Sequence, residues 1–129
     1  MQKQIINTDK APAPIGPYNQ ATLFNGMLFV SGQIGFDPIS GQLVLDSIEA
    51  ETHQVLRNVQ AILENAGSGL EKVLKATVFV KDITQFSRIN AVYGEYFQPA
   101  TAPARELVQV AELPRFVNIE ISVIAIVGH

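Results

Sequence analysis

Val117-Asn-Ile-Glu-Ile-Ser-Val-Ile-Ala-Ile-Val127 is the stretch on which the fold turns. Val117, Ile119, Ile121, Val123 and Ala125 alternate with the other side chains, the period of a β-strand that lays one face on a core. Its second face starts polar with Asn118, Glu120 and Ser122, then becomes apolar at Ile124 and Ile126. A face turned to water has no reason to do that. Met27 to Gln33 repeats the pattern, with Met27 and Phe29 opposite Leu28 and Val30. Helices predicted elsewhere in the chain are enough for one sheet face, so the second face is expected to pack on another subunit. The competing reading is that loops cover it.

Upstream, Ile5-Ile6 forms a short strand and Ala11-Pro-Ala-Pro-Ile-Gly-Pro17 a loop, because proline removes backbone donors. Ala21–Phe24 and Met27–Ser31 form a hairpin across Asn25-Gly26, a dipeptide that tolerates positive φ at both turn centres. A helix follows, with Asp46 as its N-cap, Glu49 completing a capping box, and Ile48, Val55, Leu56, Val59, Ile62 and Leu63 on one apolar face before Gly67. Val73 to Val80 reads as a buried strand closed by Lys81-Asp82. A second helix runs from Asp82–Thr84 to about Phe97, with Ile83, Phe86, Ile89, Tyr93 and Phe97 as its apolar stripe. Strands near Arg105–Val110 and Val117–Val127 complete the order β-β-β-α-β-α-β-β, an α+β fold with helices on a mixed sheet.

The chain has 129 residues, 47% hydrophobic and 16% charged, which fits one globular domain over 1–129. With a net charge of −3 and nine dispersed Lys and Arg, it lacks the basic stripe of a nucleic-acid binder. It has no cysteine, which excludes disulfides, thiolate metal sites and a thiol nucleophile. Its two histidines, His53 on the first helix and the terminal His129, suggest no zinc spacing. No apolar run suits a signal peptide or a membrane span, so a cytoplasmic location without membrane association is expected.

Two charges stand inside apolar segments, Arg105 in Thr101-Ala-Pro-Ala-Arg105 and Glu120 in the last strand. An unpaired ion there costs several kcal/mol, so each needs a partner or a ligand. Arg105, Leu107 and Gln109 share one side of their strand. If the two strands are neighbours, Arg105 and Glu120 either form an ion pair that ties them or face one cavity. In a cavity, the guanidinium offers a fork to a carboxylate and the glutamate offers a general base. Asn90 lies near the second helix's stripe, where its amide caps a backbone group or reaches the same cleft. Ser31 beside Gly32 lacks the histidine and acid of a hydrolase nucleophile.

Several ordered blocks together resemble the RidA (YjgF-type) imine deaminase family along essentially the whole chain. They are Ala11–Ala21, Val30-Ser-Gly-Gln-Ile-Gly35, Lys75–Asp82, Asn90-Ala-Val-Tyr93, Pro103-Ala-Arg105, Val108–Ala111, Leu113-Pro114 and Ile119-Glu-Ile121. The resemblance implies a chorismate-mutase-like fold with two helices on one face of a mixed sheet. It implies a homotrimer whose sheets form a central barrel, with three clefts between subunits. It also implies hydrolysis of 2-imino or enamine acids, such as 2-iminobutanoate and 2-iminopropanoate, to 2-oxo acids and ammonia, with no cofactor. Such imines arise from pyridoxal-phosphate-dependent dehydratases acting on threonine or serine, which implies metabolite damage control beside isoleucine biosynthesis. By matching position, Arg105 would clamp the carboxylate and Glu120 orient or activate water. Tyr18, Ser31 and Asn90 would line or support the cleft, and the backbone at Leu107 would hold the imine nitrogen or product oxygen.

Leu107 stands where many members carry cysteine, Glu106 where a small residue is common, Ser122 for an acid and Ala102 for an aromatic. These departures bear on substrate preference. Strand alternation predicts that Glu106 points away from Arg105. A protein that holds a 2-oxo acid in the same clefts without turnover is the alternative function, against which the pairing of Arg105 with Glu120 speaks. A ribonuclease would need the basic surface that is missing.

Overall fold

The computed structural model describes residues 2–128, so His129 lies outside the described residues. The described residues form eight strands and two α-helices. They are β1 (Gln4–Ile6), β2 (Ala21–Phe24), β3 (Met27–Gln33), β4 (Phe36–Asp37), β5 (Gln42–Leu43), α1 (Ile48–Asn65), β6 (Val73–Val80), α2 (Phe86–Tyr96), β7 (Ala104–Gln109) and β8 (Ile119–Ile126). Six strands form one sheet in the order β1-β2-β3-β8-β6-β7, while β4 and β5 make a separate small hairpin. Only β6 and β7 run parallel, and α2 supplies the long crossover that a parallel pair requires. The result is the expected α+β fold with a mixed sheet and two helices. The β4–β5 hairpin was not anticipated, because strands of two residues carry no periodicity.

The last strand does what its alternation predicted. Ile119, Ile121 and Ala125 are fully buried and Val123 is nearly so, beneath the apolar face of α1. All six predicted apolar residues of α1 are buried with them. The opposite face of the sheet stays open, with Phe29 47% exposed and Ile126 37% exposed. Asn25 and Gly26 take φ of 51° and 76° at the β2–β3 turn, the left-handed pair that the hairpin needs.

Two helix boundaries differ from expectation. Ser47, not Asp46, caps α1, its Oγ accepting from Ala50 N at 3.0 Å, and no capping box forms. Glu49 instead receives a two-pronged hydrogen bond from Arg88 of α2 at 2.7 and 2.8 Å, which holds its carboxyl down at about 2. The predicted second helix divides into a 3-10 turn at Ile83–Gln85 and then α2. Ile83 and Phe86 leave the core and are each 41% exposed, while Ile89, Tyr93 and Phe97 remain in it.

A line of buried polar residues on α1 anchors the loop that leads away from β3. Asn58 Nδ2 donates to Ile34 O and Phe36 O at 3.0 and 2.9 Å, and Gln54 Nε2 donates to Asn58 Oδ1. Fully buried Glu51 accepts from Asn118 N and Nδ2, both at 2.8 Å, and so fixes the entry to β8. Buried Gln20 does the same for the proline-rich loop. It accepts from Thr8 N at 2.6 Å and points its amide nitrogen at the carbonyls of Thr8, Ala11 and Pro12. The loop's carbonyls, which proline leaves without local donors, are satisfied from one side chain.

Candidate functional site

Register decides which way each candidate faces. Arg105 lies opposite Ala76, which lies opposite Val123, and both of those are buried under the helices. Arg105 therefore points to the helix side of the sheet. Glu120 lies opposite Phe79 and follows Ile119, which is buried under the helices, so Glu120 points to the open side. Strand β6 separates β7 from β8. The two strands are not neighbours and the two side chains share no face, which removes both the ion pair and the common cavity within one chain.

Each charge instead has a prepared setting. The Arg105 guanidinium lies 4.6 Å from the Tyr93 ring centroid and 5.7 Å from that of Phe86, both on α2. Its Nη1 donates to Asn90 Oδ1 at 2.8 Å. Phe86, Asn90 and Tyr93 are spaced at i, i+4 and i+7, so one helix face presents two rings and an amide to the cation. Asn90 thus acts on Arg105 and caps no backbone group. With Nη1 occupied and the cation set beside two aromatic rings, part of the guanidinium fork stays free for an anion. Burial pushes the Tyr93 hydroxyl above its ordinary range, against the nearby Arg105 charge. Leu107, one pleat along from Arg105, shares its face, while Glu106 turns the other way and meets Lys75 Nζ at 3.0 Å, as alternation predicted.

The second setting is a cavity of about 670 Å³ on the open side, lined by Tyr18, Ser31, Gly32, Phe36, Arg115 and Glu120 among others. Ser31 Oγ donates to Asn19 O at 2.6 Å, and Tyr18 Oη accepts from Ile15 N at 3.2 Å, which tie the proline-rich loop over this cavity. Irregular pairing between Val30 and Gln33 bends β3 there. Gly32 leaves room for the glutamate: a Cβ at that position would come within 2.5 Å of Glu120 Oε2. Among the described residues Glu120 enters no ion pair. Burial raises its pKa above the ordinary carboxylate value. A half-buried carboxylate of this kind can exchange a proton with a ligand or a water nearer neutrality than a solvated one.

Of the six positions expected to form the site, Tyr18, Ser31 and Glu120 therefore come together, and Arg105 with Asn90 and Leu107 forms a second group. Tyr93 is core, as its place on the apolar stripe predicts, and with Phe86 it also forms an aromatic bed under Arg105, a second role that the spacing of Phe86, Asn90 and Tyr93 signals. Arg115 and Phe36 of the cavity were missed. His53 of α1 is partly buried, with Nδ1 2.8 Å from Tyr96 Oη between the helices.

The sequence pattern described as endoribonuclease L-PSP matches residues 8–127. A RutC family protein of Synechocystis, slr0709, is 50% identical over 98% of each chain. A Bos taurus protein named 2-iminobutanoate/2-iminopropanoate deaminase is 48% identical over 98% of this chain and 91% of its own. The crystal structure of YyfA from Yersinia pestis, described as of the conserved Rid protein family, superposes with a TM-score of 0.94 at 45% identity, covering 98% of this chain and all of the other. A family match over nearly the whole length, together with a shared fold at that level of identity, makes this chain a member of the endoribonuclease L-PSP family, the YjgF/RidA proteins.

Proposed function

We propose that the protein hydrolyses 2-imino and enamine acids, including 2-iminobutanoate and 2-iminopropanoate, to 2-oxo acids and ammonia, as a cytoplasmic homotrimer. The observation that carries this reading is the separation of Arg105 and Glu120. Each is prepared by its surroundings, neither is paired with the other, and they lie on opposite sides of the sheet. Two copies bring such groups together where one cannot: Arg105 and the Leu107 backbone of one copy close a cleft against Tyr18, Ser31 and Glu120 of the next. The apolar open face, where Phe29 and Ile126 are exposed, supports an interface there. The deaminase name of the Bos taurus relative supports the reaction.

In this scheme Arg105 holds the substrate carboxylate and Asn90 keeps the guanidinium oriented. The imine reacts in its protonated form: ionised Glu120 takes a proton from water as the water oxygen bonds to the iminium carbon and the C=N electrons pass to nitrogen, which gives a neutral carbinolamine. Glu120 then returns that proton to the nitrogen, the C–N bond breaks as the hydroxyl oxygen forms the carbonyl, and the hydroxyl proton leaves with the ammonia. Water is consumed and ammonia released, with no change in oxidation state. The demand on the protein is modest, because orientation and one base suffice for an imine that already hydrolyses in water. Binding without turnover needs the arginine alone, so the glutamate in the cavity favours catalysis. The net charge of −3 gives no support to RNA cleavage.

The test generates 2-iminobutanoate in situ with a threonine dehydratase and follows 2-oxobutanoate release. Acceleration by the wild type, lost in Arg105→Ala without loss of folding, is the predicted outcome. No acceleration by a folded protein would turn the reading toward the non-catalytic one.

A further inference from the structure

The cavity beside Glu120 contains a second charged residue that the hydrolysis scheme leaves idle. Among the described residues lining it, Glu120 and Arg115 alone carry charge. Arg115 belongs to the turn Pro114-Arg115-Phe116, in which Arg115 and Phe116 adopt φ of 57° and 58°. Two consecutive left-handed residues that are not glycine are uncommon, and they persist where surrounding structure fixes both ends. Here it does, for Leu113 and Val117 are buried and Glu51 holds Asn118 at 2.8 Å. The reversed backbone sets the Arg115 guanidinium 5.2 Å from the Phe36 ring centroid, and α1 fixes Phe36 in turn through Asn58. Arg115 takes part in none of the ion pairs among the described residues, and it stays more than 4.0 Å from Glu120.

A 2-imino acid with a single carboxylate is satisfied by Arg105. A cavity of about 670 Å³ has room for a longer acid, and a second carboxylate entering it would meet the like charge of Glu120. A stacked, unpaired guanidinium in the same cavity reverses that penalty and offers a fork to a carboxylate. We propose that Arg115 binds the side-chain carboxylate of 2-imino dicarboxylic acids, which makes imines of acidic amino acids a substrate class of this site. The inference rests on the imine-hydrolysis reading and names its substrate range.

The experiment compares two imines made in situ, 2-iminobutanoate from a threonine dehydratase and the four-carbon imino dicarboxylate from an aspartate oxidase. Release of each 2-oxo acid is followed with wild type, Arg115→Ala and Arg115→Lys. Wild type is expected to accelerate both. Arg115→Ala should lower kcat/KM for the dicarboxylate by about tenfold more than for 2-iminobutanoate, the scale of a lost charge-assisted hydrogen bond, and mainly through KM. Arg115→Lys should restore part of that difference, which mere damage to the turn would not allow. Acceleration of 2-iminobutanoate alone, or equal losses on both imines in Arg115→Ala, overturns the inference and leaves imine hydrolysis standing. Acceleration of neither overturns both.

Discussion

Glu120 shows how one residue's surroundings set its chemistry. Its neighbours on β8 are apolar, Gly32 gives it space, and burial raises its pKa above the usual carboxylate value. Because the folded pKa is the higher one, the native state binds more protons than the unfolded chain between the two values. Its contribution to stability is therefore full below the unfolded pKa and lost as pH rises through the folded one. In the proposed mechanism activity runs the other way, since Glu120 must be ionised to act as the base. The acid limb of kcat/KM should lie above the ordinary glutamate pKa and disappear in Glu120→Gln, whose residual rate is low and flat across that range. An identical acid limb in the glutamine variant would assign the titration to another group. Arg105 is the complementary case, a cation whose position and hydrogen bond are settled by Tyr93, Phe86 and Asn90 before any ligand arrives.

At the scale of elements, two glycines near the cavity distinguish packing from chemistry. A Cβ on Gly35 would come within 2.9 Å of Glu51 Cγ and 3.2 Å of Glu51 O, on a helix that cannot retreat. Gly35→Ala should cost about 1–3 kcal/mol in chemical denaturation, as overpacked sites do. The three atoms nearest a Cβ on Gly32 are Oε2, Cδ and Cγ of the Glu120 side chain at 2.5, 2.7 and 2.9 Å, where Gly35 meets helix backbone as well. Gly32→Ala should therefore displace the Glu120 side chain, losing less stability than Gly35→Ala while turnover falls, and the opposite ranking of the two variants would contradict this account. Most elements were legible where one local rule governs them. Asn25-Gly26 specified its hairpin, the branched run Val73–Val80 specified β6, and the isolated glutamate in an apolar strand lines a cavity. The N-cap was missed by one residue, since Asp46 and Ser47 are both good acceptors and the backbone chose the hydroxyl. Strand order was not legible, and with it went the side on which Arg105 lies: alternation gives a face only relative to a neighbour, and β7 adds in parallel beyond β6. Arg115 was hidden for a related reason, because its direction depends on a left-handed turn that no glycine advertises.

For the molecule as a whole, the sheet has one face under α1 and α2 and one face open, and the two candidate charges are divided between them. A closed ring of identical copies gives every open face the same neighbour and repeats each cleft around the axis. Neither Arg105→Ala nor Glu120→Gln is therefore expected to turn over 2-iminobutanoate at an appreciable rate alone. Unfolded together and refolded as a mixture, the two variants should recover activity, because random assortment around a ring gives about a quarter of the clefts both native groups from different copies. Recovery of that order, measured by 2-oxobutanoate release at equal total protein, is the predicted result; mixed oligomers that form yet stay as inactive as their parents would contradict a site shared between copies.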